Sequence, residues 1–138
     1  MSFSPGSVLI VDDDAAVRDS LKFALGMEGM QVRLYRDGVD LLADDCLPEH
    51  GCLVVDYHMP AIDGIQLVAI LRGLRKQHPA ILISGHVSAD VRKRAAEAGF
   101  RDVLEKPLLD ETLVNSIRGA LARPGQDGSP DASLKKPD

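Results

Sequence analysis

Three short, unbroken apolar runs constrain the fold of this chain more than any other feature of its sequence. They cover residues 8–11, 52–55 and 80–83. Runs of this length, rich in branched aliphatic side chains, are typical of strands that are buried on both faces, as in parallel sheets. We therefore expect these three segments to lie side by side in the middle of a sheet.

Helical patterns separate the runs. Apolar residues recur at spacings of three and four within residues 17–25, 67–74, 91–98 and 109–121, and a short helix is expected after Asp37-Gly38. His78 is interpreted as the end of a helix. Residues 31–35 alternate polar and apolar, as an edge strand does, and residues 102–104 form a short last strand. Five strands alternating with five helices predict an α/β fold: a single doubly wound domain with a parallel sheet in the order 2-1-3-4-5.

Composition narrows the possible functions. The chain has 138 residues, of which 45% are hydrophobic and 4% aromatic, and its formal net charge is −5. This length suits one domain with an aliphatic core rather than a two-domain enzyme. The acidic balance argues against direct nucleic-acid binding. No apolar run is long enough to span a membrane, residues 1–7 show no signal peptide, and Cys46 and Cys52 lack metal-ligand spacing. We expect unpaired thiols in a soluble, cytoplasmic protein.

Acidic residues follow two of the buried runs. Asp12, Asp13 and Asp14 come after the first run, and Asp56 comes after the second. In a sheet of this order the functional site lies beyond the carboxyl ends of the strands, between the first and third strands. Crowded carboxylates repel each other unless a cation joins them, and Mg²⁺ prefers such oxygen ligands. Asp14 is expected to cap the first helix, which leaves Asp12 and Asp13 for the metal.

Two further strands, the fourth and the fifth, end in groups that suit phosphate. Ser84 follows the third apolar run, and Lys106 follows the last strand. An ammonium group can neutralise a phosphate oxygen, and a hydroxyl can donate a hydrogen bond to it. Each residue alone is most simply read as part of a turn, and residues 92–94 as a solvated basic helix face. Their joint placement predicts phosphoryl transfer to a carboxylate, with Asp56 as the nucleophile.

Four segments in order resemble one family. They are residues 8–14 (VLIVDDD), 54–60 (VVDYHMP) with Asp63-Gly64, 81–86 (ILISGH) and 98–107 (AGFRDVLEKP). Together they are similar to the receiver domain of two-component response regulators, a CheY-like domain. The resemblance covers residues 7–122 and implies a flavodoxin-like (βα)5 fold. Residues 123–138 are expected to be a disordered tail or a linker stub.

The resemblance also implies roles for individual residues. Asp56 would accept a phosphoryl group, and Asp12, Asp13, Asp56 and the backbone carbonyl of His58 would bind Mg²⁺. Ser84 would be the switch hydroxyl and Lys106 would contact the phosphoryl group, with a cis bond between Lys106 and Pro107. The imidazoles of His58 and His86 would shield the acyl phosphate from water.

The implied partners are other signalling proteins. A sensor histidine kinase or a histidine phosphotransfer protein would donate the phosphoryl group. An output domain or a second receiver would dock through the fourth helix, fifth strand and fifth helix. The stretch ISGH, residues 83–86, is most similar to receivers of transcriptional regulators that have a helix-turn-helix output domain. Neither direct nucleic-acid binding nor membrane contact is expected.

The sequence departs from the family at one position of the switch. The family often has Tyr or Phe three residues before the lysine, where this chain has Val103. Phe100 stands instead where the family usually has a small residue, and it is equally well read as a filler of the core. Because Val103 cannot act as a swinging ring, we expect the signal to pass through residues 84–88 and the fourth helix.

Three other classes of function are compatible with parts of the pattern. A Mg²⁺-dependent aspartyl-phosphate phosphohydrolase of the haloacid dehalogenase type also uses Asp, Ser and Lys. Its nucleophile, however, follows the first strand in a DxDx[TV] motif, whereas Ala15 and Ala16 follow here. A flavodoxin-type cofactor binder would need hydroxyls and glycines at residues 12–14, and a scaffold that is never phosphorylated would not need the complete site. The leading prediction is a phosphorylated switch rather than a turnover enzyme.

Overall fold

A parallel five-stranded sheet forms the centre of the molecule, in the order β2-β1-β3-β4-β5. The computed structural model describes residues 6–108 and 111–122. The strands are β1 (Ser7–Val11), β2 (Gln31–Tyr35), β3 (Gly51–Asp56), β4 (Ala80–Ser84) and β5 (Asp102–Glu105). The helices are α1 (Ala15–Met27), α2 (Gly38–Leu42), α3 (Gly64–Gly73), α4 (Ala89–Glu97) and α5 (Thr112–Leu121). The predicted fold class and strand order are confirmed.

Burial along each strand follows its place in the sheet. Every residue of β3 and β4 is buried, and so is β1 after its first residue. The outer strand β2 alternates between exposed and less exposed positions, whereas β5 is exposed at both ends and partly buried at its two middle residues. Continuous apolar runs therefore mark the interior strands, because these strands are covered on both faces.

The two faces of the sheet carry separate cores. On one face, apolar side chains of α2, α3 and α4 pack against the sheet, and on the other face those of α1 and α5 do. Leu41, Leu67 and Ala95 are fully buried in the first core, and Leu25 and Ile117 are almost or fully buried in the second. This arrangement leaves the carboxyl ends of the strands free of covering helices.

Polar side chains at the helix starts fix where the chain turns. Asp14 caps α1 by accepting a hydrogen bond of 2.9 Å from the backbone N–H of Ala16, as predicted. Ser88 caps α4 in the same way, by a bond of 3.1 Å from Val91. Asp63 and Gln66 form a reciprocal capping box at the start of α3.

Several local predictions were wrong or fall outside the described residues. His78 does not end a helix, because α3 ends at Gly73. Its ring is buried in the connection to β4, and Nε2 donates to the carbonyl oxygen of Pro48 at 2.6 Å. Ile70 and Leu74 were expected in the buried stripe of α3 but are exposed, since Val68 takes the inward position. The expected helix start at Leu109 and the tail, residues 123–138, lie outside the described residues.

Candidate functional site

The register of the sheet brings the polar strand ends to one level. Val11 is paired with Val55, so Asp12 and Asp56 leave neighbouring strands at the same height. Asp56 is paired with Ile83, and Ser84 with Glu105. Because all strands are parallel, the polar residues that end β1, β3, β4 and β5 meet at one edge of the sheet.

Three carboxylates form a cluster at this edge. Oxygen atoms of Asp12, Asp13 and Asp56 lie within 4.8 Å of one another. Asp12 is fully buried and Asp56 is 5% exposed, whereas Asp13 faces solvent. The Asp12 side chain is oriented by the backbone N–H of Asp14, which donates to Oδ1 at 2.9 Å. The structure thus brings together the three side chains that the sequence predicts as metal ligands.

Lys106 reaches into this cluster from the loop after β5. Its Nζ lies 3.0 Å from Oδ2 of Asp12 and 3.4 Å from Oδ1 of Asp56. Burial alone would lower the pKa of Lys106, but the hydrogen bonds and negative charges of the two carboxylates raise it above its usual value. Lys106 is therefore a positive charge held between two buried acids. The bond between Lys106 and Pro107 is cis, as predicted.

The carboxyl group of Asp56 has a raised pKa. Burial first, and then the negative charge of Asp12, raise its pKa to about 6, although Lys106 acts in the opposite direction. Lys106 therefore offsets only part of the electrostatic repulsion between the carboxylates of Asp12 and Asp56. A carboxylate in this position gains from an additional cation beside it.

The chemistry of the donors fits a hard divalent cation. Carboxylate oxygens are the ligands that Mg²⁺ prefers, usually one or two of them together with water and phosphate oxygens. The cluster offers two buried acids and the solvent-facing Asp13, from which such a cation could enter. The acidic pocket could therefore bind a metal ion, while the backbone carbonyl of His58 as a further ligand stays a prediction.

Ser84 lies fully buried at the end of β4. Its Oγ donates to the backbone carbonyl oxygen of His86 at 3.0 Å and accepts from the backbone N–H of His86 at 3.3 Å. The hydrogen bonds described for this hydroxyl are thus made within its own loop.

The loop after Asp56 is held close to the sheet. The N–H of Tyr57 donates to the carbonyl oxygen of Ile83 at 2.9 Å, and that of Gly64 donates to the carbonyl oxygen of Tyr57 at 3.0 Å. A Cβ atom at Gly64 would lie 2.6 Å from the carbonyl oxygen of Asp56. Only glycine therefore allows α3 to start against the backbone of this aspartate.

Two arginines near the site were not found from the sequence. Arg18, on α1, donates through Nη1 to the carbonyl oxygen of Asp12 at 2.8 Å. Arg94, on α4, donates to the hydroxyl of Tyr57 at 2.5 Å, so residues 92–94 are not simply a solvated basic face as predicted. Neither contact has a sequence signal, because each depends on how a helix packs on the sheet.

Phe100, the aromatic residue just before β5, lies in the core. Phe100 is 8% exposed and belongs to the core on the α3 and α4 face. Val103 is partly buried against the same core. Phe100 therefore fills core volume before the strand begins, and β5 itself carries no aromatic side chain.

Comparison with known proteins identifies the family. Residues 8–118 match the family model described as the response regulator receiver domain. The chain is 37% identical over 118 residues to the transcriptional regulatory protein FixJ of Bradyrhizobium diazoefficiens, covering 84% of this chain and 57% of that protein. It is 34% identical over 116 residues to the transcriptional regulatory protein TdiR of Thauera aromatica, covering 84% of this chain and 51% of TdiR. The chain thus spans about half the length of these curated relatives.

Solved structures agree with the sequence relatives. The crystal structure of FixJ-N superposes with a TM-score of 0.78 at 34% identity, covering 88% of this chain and 95% of that one. The response regulator StyR gives a TM-score of 0.78 at 32% identity, covering 84% of this chain and 59% of that one. The family match spans most of the chain and includes the acidic cluster, Ser84 and Lys106. The chain therefore belongs to the family of response regulator receiver domains, the signalling switches of two-component systems.

Proposed function

We propose that Asp56 accepts a phosphoryl group from the phosphohistidine of a sensor histidine kinase or a histidine phosphotransfer protein. A carboxylate oxygen of Asp56 attacks phosphorus, and the bond from phosphorus to the donor's imidazole nitrogen breaks as the new bond forms. The observation that carries this proposal is the position of Asp56, nearly buried and 3.4 Å from the ammonium of Lys106. A nucleophile beside a fixed positive charge suits attack on an anionic group.

The neighbouring side chains have separate roles in this proposal. Lys106 neutralises one oxygen of the transferred group, and Ser84 turns from the carbonyl oxygen of His86 to donate a hydrogen bond to another. Asp12, Asp13, Asp56 and the backbone carbonyl of His58 would hold Mg²⁺. When bound, the ion supplies positive charge that offsets the negative charge on the transferred oxygens. His58 and His86 border the site and limit the access of water.

The product is a signal rather than a released metabolite. Two of the relatives are named as transcriptional regulatory proteins, and this chain spans about half of their length. We infer that phosphorylation changes the surface formed by α4, β5 and α5, and that this surface docks an output domain or a second receiver. We do not expect direct nucleic-acid binding, because the chain is acidic.

The alternative of a haloacid dehalogenase-type phosphohydrolase gains no support from the family match or from the relatives described above. In the described residues no helix is both long and apolar enough to cross a bilayer. A cytoplasmic location stays a prediction from the sequence.

Phosphorylation with a small donor tests the proposal. The protein is incubated with Mg²⁺ and acetyl phosphate, and its intact mass is measured. We expect one added phosphoryl group, labile in base, in the wild type and none in Asp56→Asn. A stable adduct on Ser84, or an adduct that persists in Asp56→Asn, would contradict the assignment.

A further inference from the structure

One side-chain contact joins the residue after Asp56 to helix α4. Nη1 of Arg94 donates to the phenol oxygen of Tyr57 at 2.5 Å, across 37 residues of sequence. The guanidinium carbon of Arg94 lies 5.7 Å from the centre of the Tyr57 ring. The donor carries a full charge, and hydrogen bonds of this kind are roughly twice as strong as those between neutral groups.

The phenol is coupled tightly to the backbone of Asp56. Tyr57 is the next residue, and its N–H and carbonyl oxygen are both engaged, with Ile83 on β4 and Gly64 at the start of α3. Its ring is partly buried against the core and packs against the His58 ring with the centroids 4.6 Å apart. A shift of the backbone around Asp56 would therefore be passed on directly to the Tyr57 side chain.

Helix α4, by contrast, has few apolar anchors. Only Val91 and Ala95 are buried among its nine residues. Burial stabilises in proportion to apolar area, and these two side chains are small. The charge-assisted hydrogen bond from Arg94 therefore adds to a small set of contacts that hold α4 in place.

Tyr57 lies near the part of the core where β5 has Val103 instead of an aromatic residue. Val103 and Tyr57 both pack against the core on the α3 and α4 face. Val103 is small and stiff at χ1, so it has no ring to move. Tyr57 supplies an aromatic ring to the same core from the end of β3.

We propose that Tyr57 and Arg94 form a latch that holds α4 while Asp56 is unmodified, and that phosphorylation of Asp56 opens it. This inference rests on the proposed function, since it requires Asp56 to be the modified group. The added phosphoryl group shifts the backbone after β3, the Tyr57–Arg94 hydrogen bond breaks, and α4 becomes free to rearrange. Tyr57 and Arg94 are positioning residues in this scheme, because neither reacts with the phosphoryl group.

Amide hydrogen exchange of the whole chain tests the latch. Exchange of residues 91–97 is measured with Mg²⁺ alone and with Mg²⁺ plus beryllofluoride, a phosphoryl mimic. In the unmodified state, Tyr57→Phe removes only the hydroxyl and is expected to speed exchange in α4 about tenfold, which corresponds to about 1.4 kcal/mol. Beryllofluoride should speed exchange of α4 in the wild type and add little in this variant.

Substitutions on α4 provide the matched controls. Arg94→Gln should behave like Tyr57→Phe, whereas Arg94→Lys keeps the charge and should restore part of the protection. Arg92→Gln removes the same charge from an exposed position on the same helix and should leave exchange as in the wild type. If Arg92→Gln loosens α4 as much as Arg94→Gln does, the effect is one of general charge and the latch is refuted.

The same variants separate failure of the latch from failure of the proposed function. Each is incubated with Mg²⁺ and acetyl phosphate, and its mass is measured. Phosphorylation of Tyr57→Phe together with wild-type exchange in α4 would overturn the latch but keep Asp56 as the acceptor. Absence of phosphorylation in the wild type would overturn the proposed function itself, whatever the exchange of α4 shows.

Discussion

Lys106 is bound to Asp12, which lies 94 residues earlier in the chain, by a hydrogen bond of 3.0 Å. Asp12 is fully buried, and in the described structure the ammonium of Lys106 forms an ion pair with its carboxylate. The lysine thus connects the loop after β5 to the carboxylates that follow β1 and end β3.

Replacing Lys106 should lower the stability of the folded protein, independently of any effect on phosphorylation. Lys106→Met leaves the buried carboxylates of Asp12 and Asp56 without their ion pair, which we expect to lower the free energy of unfolding by about 2 kcal/mol. Urea denaturation measures the loss. Mg²⁺ should restore part of it, because the ion supplies the missing charge, whereas an equal loss with and without Mg²⁺ would argue against metal binding at this cluster.

Asp13 offers the cleanest test of the metal ligands, since its side chain faces solvent. Asp13→Asn should leave the fold intact but greatly reduce the rise in melting temperature that Mg²⁺ produces. Asp14→Asn is the matched control, because Asn also caps helices well and the same charge is lost one residue away. If both variants respond to Mg²⁺ like the wild type, Asp13 is not a ligand.

The stability of the metal-free protein should depend on the ionisation of Asp56. The pKa of Asp56 in the folded state is about 6, above its ordinary value of 3.8, so the folded state binds this proton more tightly than the unfolded state. The stability that protonation provides is complete below about pH 4 and is lost as the pH rises through 6. Asp56→Asn should therefore be more stabilising, relative to the wild type, at pH 7.5 than at pH 4.5. Urea denaturation at both pH values without Mg²⁺ checks this, and an equal difference at both would contradict it.

His58 and His86 are expected to prolong the phosphorylated state. Both side chains are exposed and lie two residues beyond Asp56 and Ser84. Replacing both with Ala should expose the acyl phosphate to water and shorten its half-life, which can be followed by loss of the added mass after removal of the donor. An unchanged half-life would mean that the imidazoles point away from the phosphoryl group.

Phe100 should matter for stability and not for phosphorylation. Phe100→Ala removes a buried ring from the core and is expected to cost about 3 kcal/mol, and Phe100→Leu should cost less. Denaturation measures both losses. The rate of phosphorylation by acetyl phosphate should match the wild type under conditions where the Leu variant is fully folded, and a slower rate would give Phe100 a part in the switch.

Features that depend on chain order were predictable from the sequence. The apolar runs fix which strands are interior, and the parallel sheet then brings the polar residues after each strand to one edge. For this reason the convergence of Asp12, Asp56 and Lys106 could be predicted without coordinates. The caps formed by Asp14 and Ser88 were predictable because they involve residues within three positions of each other.

Features that depend on the packing of one side chain across the fold were not predictable. His78 looked like a helix end, but its ring found a buried hydrogen bond with Pro48, 30 residues away. Arg94 looked like its exposed neighbours, yet the rotation of α4 on the sheet brings it to Tyr57. Helical periodicity cannot decide which of three adjacent basic residues turns toward a strand end when few apolar residues fix the helix.

In the loop that follows Asp56, residues 57–64, a backbone hydrogen bond connects the two ends. The hydrogen bond from Gly64 to Tyr57 joins its ends, and the capping box of Asp63 and Gln66 holds the start of α3. The conformational entropy of residues 57–63 is therefore lost when the chain folds and not when an ion arrives. A cation that binds here need not order the loop, so we expect its affinity to depend mainly on charge and dehydration.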